Sequence, residues 1–162
     1  MGAAVDQVDS ERKHRAVADE ATEHMSVSAP PERCYAVVAD FERYPEWAAD
    51  IKQIVVDERD SEGRPVLVTF RVAAFGRSTT LTLTYDYSEA PHILSWTSTK
   101  GDITSKWNGS YVFDPNGSGT DVTYHLEAEL RVPIPSFIKM RATSRIMSTA
   151  MRELKARVES SA

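Results

Sequence analysis

The C-terminal stretch constrains this chain most, because it differs in kind from everything before it. From Pro135 to Glu159 the sequence reads as one long amphipathic helix, with Phe137, Met140, Met147, Met151, Leu154 and Val158 as its larger apolar members. Upstream lie about six segments in which β-branched and aromatic residues alternate with polar ones, joined by short turns. A curved antiparallel sheet closed by a single long helix is a natural enclosure for a cavity. The middle of the helix carries Arg141, Thr143, Ser144 and Met147 rather than an unbroken Leu/Ile stripe. Such a face suits an adaptable space more than a packed core, and points to a binder of hydrophobic small molecules.

Composition narrows the classes. The chain has 162 residues, 41% hydrophobic and 27% charged, as expected of one ordinary globular domain with a real core. A net charge of −5 disfavours nucleic acid as a partner. One cysteine, Cys34, permits no internal disulfide and fits a reducing cytoplasm. No apolar run approaches the roughly 20 residues needed to span a bilayer. The N-terminal residues are polar, unlike a signal peptide. Residues 1–18 read as a disordered or frayed arm, and 19–162 as a single domain.

Thr22 to Ala29 alternates as a first strand, and Pro30-Pro31-Glu32 opens a helix that carries Cys34, Tyr35, Val37, Val38 and Phe41. Pro45 is expected to break it and to start a second short helix at Tyr44. Strands follow over 51–59, 65–75, 78–87, 93–99, 103–113 and 120–132. The clearest alternation sets Leu81, Leu83, Tyr85 and Tyr87 against Thr80, Thr82, Thr84 and Asp86. One apolar and one wet face per strand predicts an antiparallel sheet covered on one side.

This order resembles the START-like superfamily (the helix-grip fold), which includes the polyketide cyclase/dehydrase and lipid-transport group and the coenzyme Q-binding proteins. The resemblance rests on Val27-Ser28-Ala29-Pro30-Pro31-Glu32 with Tyr35, Val38, Asp40, Tyr44, Pro45 and Trp47. It rests further on Trp96, on Gly109 with Tyr111 and Phe113, and on Gly119-Thr120-Asp121-Val122-Thr123-Tyr124. It implies an α+β fold: a curved seven-stranded antiparallel sheet with two short helices, wrapped around a long C-terminal helix and a cavity. The ligands it implies are lipids, polyketides, isoprenoid quinones or other apolar molecules.

The expected cavity wall comprises Phe70, Val72, Leu83, Tyr85, Trp96, Trp107, Tyr111, Tyr124 and Leu126 on the sheet. On the helix it comprises Met140, Arg141, Ser144, Met147 and Met151. Apolar surface with a few hydroxyls suits ligand binding, although the same residues would also fill an ordinary core. Arg141 could meet a ligand carboxylate or form a surface ion pair. Asp40 is expected to cap the following turn rather than to act as a cavity acid. Phe75, at a hairpin tip, and Ile134, Phe137 and Ile138 could rim the cavity mouth or touch a membrane transiently; the alternative folds the tip back onto the helix.

The four histidines show no metal-ligand spacing with Cys34 or carboxylates, and no phosphate loop or nucleophile motif is present, so neither metal nor cofactor is expected. The favoured function is non-catalytic binding or transport of a hydrophobic molecule. The alternative is a polyketide cyclase or dehydratase acting in the same cavity, a chemistry that usually needs a placed acid or base.

Overall fold

The computed structural model describes residues 19–74 and 76–160. The expected N-terminal arm, residues 1–18, and the hairpin-tip residue Phe75 lie outside them. In chain order the elements are β1 (Asp19–Val27), α1 (Pro31–Ala39), a 3₁₀ helix (Phe41–Glu46), β2 (Ile51–Arg59), β3 (Pro65–Ala74), β4 (Arg77–Asp86), β5 (Ile93–Gly101), β6 (Thr104–Asn116), β7 (Gly119–Leu130) and α2 (Ser136–Ser160). The strands form one antiparallel sheet ordered β1-β7-β6-β5-β4-β3-β2. Strands β2 to β7 are a meander of hairpins, and β1 pairs out of sequence.

Alternation sets which face is buried. Along β7, Val122, Tyr124, Leu126, Ala128 and Leu130 are buried while the intervening residues are exposed or half-buried. On the outer face the polar residues pair across strands. Thr22 Oγ1 lies 2.9 Å from His125 Nδ1, and Lys106 Nζ donates to Glu127 Oε1 at 2.8 Å. The β6–β7 turn needs Gly117, whose φ of 61° lies in the left-handed region that a side chain disfavours.

Proline at the first helical positions and Glu32 in the first turn start α1, which buries Cys34 and Val38. Two expectations for the next segment are corrected. The chain leaves α1 at Asp40, and Pro45 sits inside the following 3₁₀ helix rather than breaking a helix before it. Proline is tolerated there because so short a helix has few internal bonds to lose. Asp40 makes no side-chain cap; its carboxylate pairs with Arg43 at 3.2 Å.

The long helix packs chiefly against β1, β7 and α1, at one edge of the sheet. Its packed seam is Thr143, Met147, Met151, Leu154 and Val158, all buried. Each fully buried Met, Leu or Val there contributes roughly 1.5–3 kcal/mol from area removed from water, as an upper estimate. Because this seam is off-centre, α2 leaves space over the middle strands.

Candidate functional site

Strand register builds the aromatic wall. Tyr85 faces Trp96 across β4–β5, Trp96 faces Gly109 across β5–β6, and Tyr111 faces Tyr124 across β6–β7. Glycine at 109 permits this arrangement. A Cβ there would lie 2.5 Å from the His125 carbonyl oxygen and 2.7 Å from Trp96 Cζ2, so the indole lies across a strand that has no side chain at that point. The Trp96 ring then sits 5.4 Å from Tyr111, 5.9 Å from Tyr124 and 6.0 Å from Tyr85, in tilted and edge-on contacts of the kind aromatic quadrupoles favour.

Between this wall and α2 is a cavity of about 180 Å³. Phe70, Leu81, Leu83, Tyr85, Trp96 and Tyr124 form its buried sheet side, with Trp107 and Tyr111 beside them. Tyr44, Trp47 and Ala48 close it from the 3₁₀ helix and its exit. Ile146, Thr149, Ala150 and Glu153 line it from α2. The exposed members of the lining are Asp50 and Ala73, so the space opens toward solvent there. The Ala73 N–H donates to the Asp50 carbonyl at 2.8 Å, and the Ala49 N–H donates to Glu153 Oε2 at 3.0 Å. Two carboxylate residues therefore share one stretch of rim. Among the described residues, no Lys, Arg or His lines the cavity; the Lys52 ammonium lies just outside, donating to the Ala49 carbonyl at 2.8 Å.

Several polar groups of the lining residues have no protein partner among the described residues. Trp96 Nε1 and Thr104 Oγ1 are buried and unbonded. Of the four tyrosine hydroxyls, that of Tyr44 donates to the Val38 carbonyl, while those of Tyr85, Tyr111 and Tyr124 make no hydrogen bond to any described residue. Burial pushes the hydroxyls of Tyr44, Tyr85 and Tyr111 well above the usual phenol range, and neighbouring tyrosines add to it. Burial raises Tyr124 too, with a smaller contribution from Glu23. All four are neutral phenols at ordinary pH and serve as hydrogen-bonding groups rather than as bases. Among the described residues, no group of three or more His, Cys, Asp and Glu could hold a metal ion.

Eight of the sheet residues expected in the wall surround this space: Phe70, Val72, Leu83, Tyr85, Trp96, Trp107, Tyr111 and Tyr124. Leu126 is fully buried in the core beside it, and Met147 and Met151 lie in the helix seam. Met140, Arg141 and Ser144 are corrected. All three are exposed, Met140 at 52%. At about 100° per residue, Ser144 projects on nearly the opposite side of α2 from Ile146, Ala150 and Glu153. Of the expected rim, Ile134 packs against Ile103, Leu130 and Val132, whereas Phe137 and Ile138 are exposed at 63% and 41%. Sequence reasoning missed the helix face Ile146-Thr149-Ala150-Glu153. Its i, i+4 pairs, Ile146 with Ala150 and Thr149 with Glu153, were the available signal. It also missed Asp50, which follows no periodic segment.

A seven-stranded antiparallel sheet gripping a long C-terminal helix is the helix-grip architecture of the START-like superfamily. The chain belongs to the polyketide cyclase / dehydrase and lipid transport family, whose model matches residues 18–159. That family binds hydrophobic small molecules or carries out cyclase chemistry on them. Among solved structures, a START superfamily protein from Mycobacterium smegmatis superposes with a TM-score of 0.83 at 24% identity, over 88% of this chain and 99% of that one. The Zhui aromatase/cyclase from Streptomyces sp. R1128 superposes with a TM-score of 0.76 at 13% identity, over 87% of this chain and 93% of that one. A Thermus thermophilus protein gives 0.74 at 22% identity, over 89% and 99%. At these identities the likeness shows the fold alone. No curated protein matches the sequence. Among the described residues, no helix is long and apolar enough to cross a membrane.

Proposed function

We propose that this protein binds a hydrophobic small molecule in the space between the sheet and α2, as a carrier or binder. The observation that carries this reading is a cavity walled by Phe70, Tyr85, Trp96, Tyr111 and Tyr124, apolar with a few polar groups, as small-molecule sites are. At about 180 Å³ the cavity resembles in size an engineered ~150 Å³ apolar cavity that accepts benzene. It is smaller than the roughly 300–1,000 Å³ of sites that take drug-sized ligands. The bound portion is therefore small, or α2 yields to admit more.

The test is organic extraction of natively purified protein followed by mass spectrometry, alongside an Ala150→Trp variant. A co-purifying apolar compound that is absent from a folded Ala150→Trp protein supports the reading. Equal recovery from both proteins removes this cavity as the site.

The same reading extends to delivery. Phe137, Ile138 and Met140 are exposed large apolar residues within one stretch of α2. From Arg131 to Arg152 the chain has five cations and no acid: Arg131, Lys139, Arg141, Arg145 and Arg152. Bare apolar side chains among cations suit transient contact with an anionic membrane surface. The buried, unpaired Cys34 is compatible with a reducing cytoplasm.

A second reading, a cyclase or dehydratase, is favoured by one observation: the half-buried Glu153 lines the cavity, where its carboxylate could accept a proton. Loss of turnover of a polyketide-like substrate in Glu153→Gln, with binding retained, would support it. Absence of turnover in the native protein would leave the binder.

A further inference from the structure

We propose that the cavity selects its ligand by charge, taking small neutral aromatic molecules and rejecting the corresponding carboxylates. This rests on the reading of the cavity as the ligand site and names the class of molecule that fits it.

Three observations meet here. First, the described lining offers neutral hydrogen-bonding groups and no cation. Among the described residues the lining holds no Lys, Arg or His, so a negative charge inside it would have no counter-ion. Second, the rim carries negative charge. Asp50 is held beside Ala73 through its main-chain carbonyl, and the Glu153 carboxylate accepts from the neighbouring Ala49 N–H, so a molecule entering past the exposed Asp50 and Ala73 passes two acidic residues. Lys52 is the opposing charge nearby, and it lies outside the lining. Third, the wall is aromatic, and flat rings gain from stacked and edge-on contacts with Tyr85, Trp96, Tyr111 and Tyr124. A carboxylate inside would be desolvated with no counter-ion, and would face like charge at the mouth. Free fatty acids and aromatic acids are therefore excluded, although both are hydrophobic.

The chain supplies its own reporters. All three tryptophans, Trp47, Trp96 and Trp107, line the cavity. Titration of the full-length protein with naphthol and with naphthoate at neutral pH, followed by NMR of the three indole N–H signals, compares two ligands of one shape and different charge. Naphthol should shift the indole signals and bind tighter than naphthoate. In Asp50→Asn/Glu153→Gln the disadvantage of naphthoate should shrink by about tenfold, since two like charges at an effective dielectric near 20, discounted for the exposure of Asp50, amount to roughly that factor. Lys52→Gln should widen the gap. The intrinsic cost of desolvating naphthoate is common to all these proteins, so the change between them reports the rim. Asp50→Asn alone, at an exposed position, keeps the comparison should the double variant fold poorly.

Naphthoate binding as tightly as naphthol would overturn charge selection while leaving the cavity as the site. A gap unchanged in the variants would do the same. If neither compound moved any indole signal, the reading of the cavity as a ligand site would fall, and this inference with it.

Discussion

Thr143 offers a test in which removing a polar group should stabilise the protein. It lies in the packed seam of α2, 1% exposed, and its hydroxyl has no hydrogen-bond partner among the described residues. A helical threonine hydroxyl can bond back to the preceding turn, but this one does not. An unpaired buried hydroxyl costs roughly 1–3 kcal/mol in lost hydration. Thr143→Val replaces the hydroxyl by a methyl group of similar shape, and the helix propensities of the two residues are nearly equal. The folded state should gain about 1–2 kcal/mol. For a domain of this size each kcal/mol moves the melting temperature by about 2–4 °C, so a rise of roughly 2–8 °C is expected. Calorimetric unfolding of the two proteins at neutral pH measures it. A lower or unchanged melting temperature would refute the reasoning, because it would mean that the hydroxyl is satisfied in the native state. Thr104→Val is the informative companion. It removes the other orphaned threonine hydroxyl, this one in a residue of the cavity lining, and should likewise raise the melting temperature.

Gly109→Ala should lower stability by about 1–3 kcal/mol, the usual cost of overpacking, because the added methyl meets both the His125 carbonyl and the Trp96 ring; an unchanged thermal midpoint would show that the indole is not held across β6. The cavity tyrosines set an alkaline limit. Their folded-state values are raised, so the unfolded chain gives up protons first; stability is full below about pH 10 and declines as pH rises above it. Melting temperature and tyrosinate absorbance followed together should fall and rise in step, and tyrosinate forming well before unfolding would contradict this. Phe137→Glu should reduce sedimentation with anionic vesicles severalfold without altering the melting temperature, since the side chain is 63% exposed. Equal sedimentation would remove that turn of α2 as a membrane contact.

The sheet was legible because its burial follows a period of two that the residues spell out. Leu81, Leu83, Tyr85 and Tyr87 are all buried in the structure, and most of the expected aromatic wall surrounds one space. The cavity side of α2 was not legible, for a physical reason. Apolar periodicity identifies the stripe that packs, here Met147, Met151, Leu154 and Val158. A wall facing empty space has no such requirement, and Thr149, Ala150 and Glu153 carry little hydrophobic signal. Extending the packed stripe toward the N-terminus of the helix led to Met140 and Ser144, but that end of α2 is exposed on the corresponding face. The rim residue Asp50 lies between the 3₁₀ helix and β2, where no period operates.

The out-of-sequence pairing of β1 has a consequence for how the chain acquires its shape. The hairpins from β2 to β7 can form between near neighbours as synthesis proceeds, but β1 must wait. Thr22 meets His125 across 103 residues, and Ser28 meets Glu159 across 131. Closing loops of that length is slow compared with zipping a hairpin. A nascent chain therefore carries an unmated first strand until β7 emerges, and an uncovered aromatic face until α2 does. The aromatic residues gathered for the mature cavity are, during that interval, exposed apolar surface of the kind that promotes aggregation.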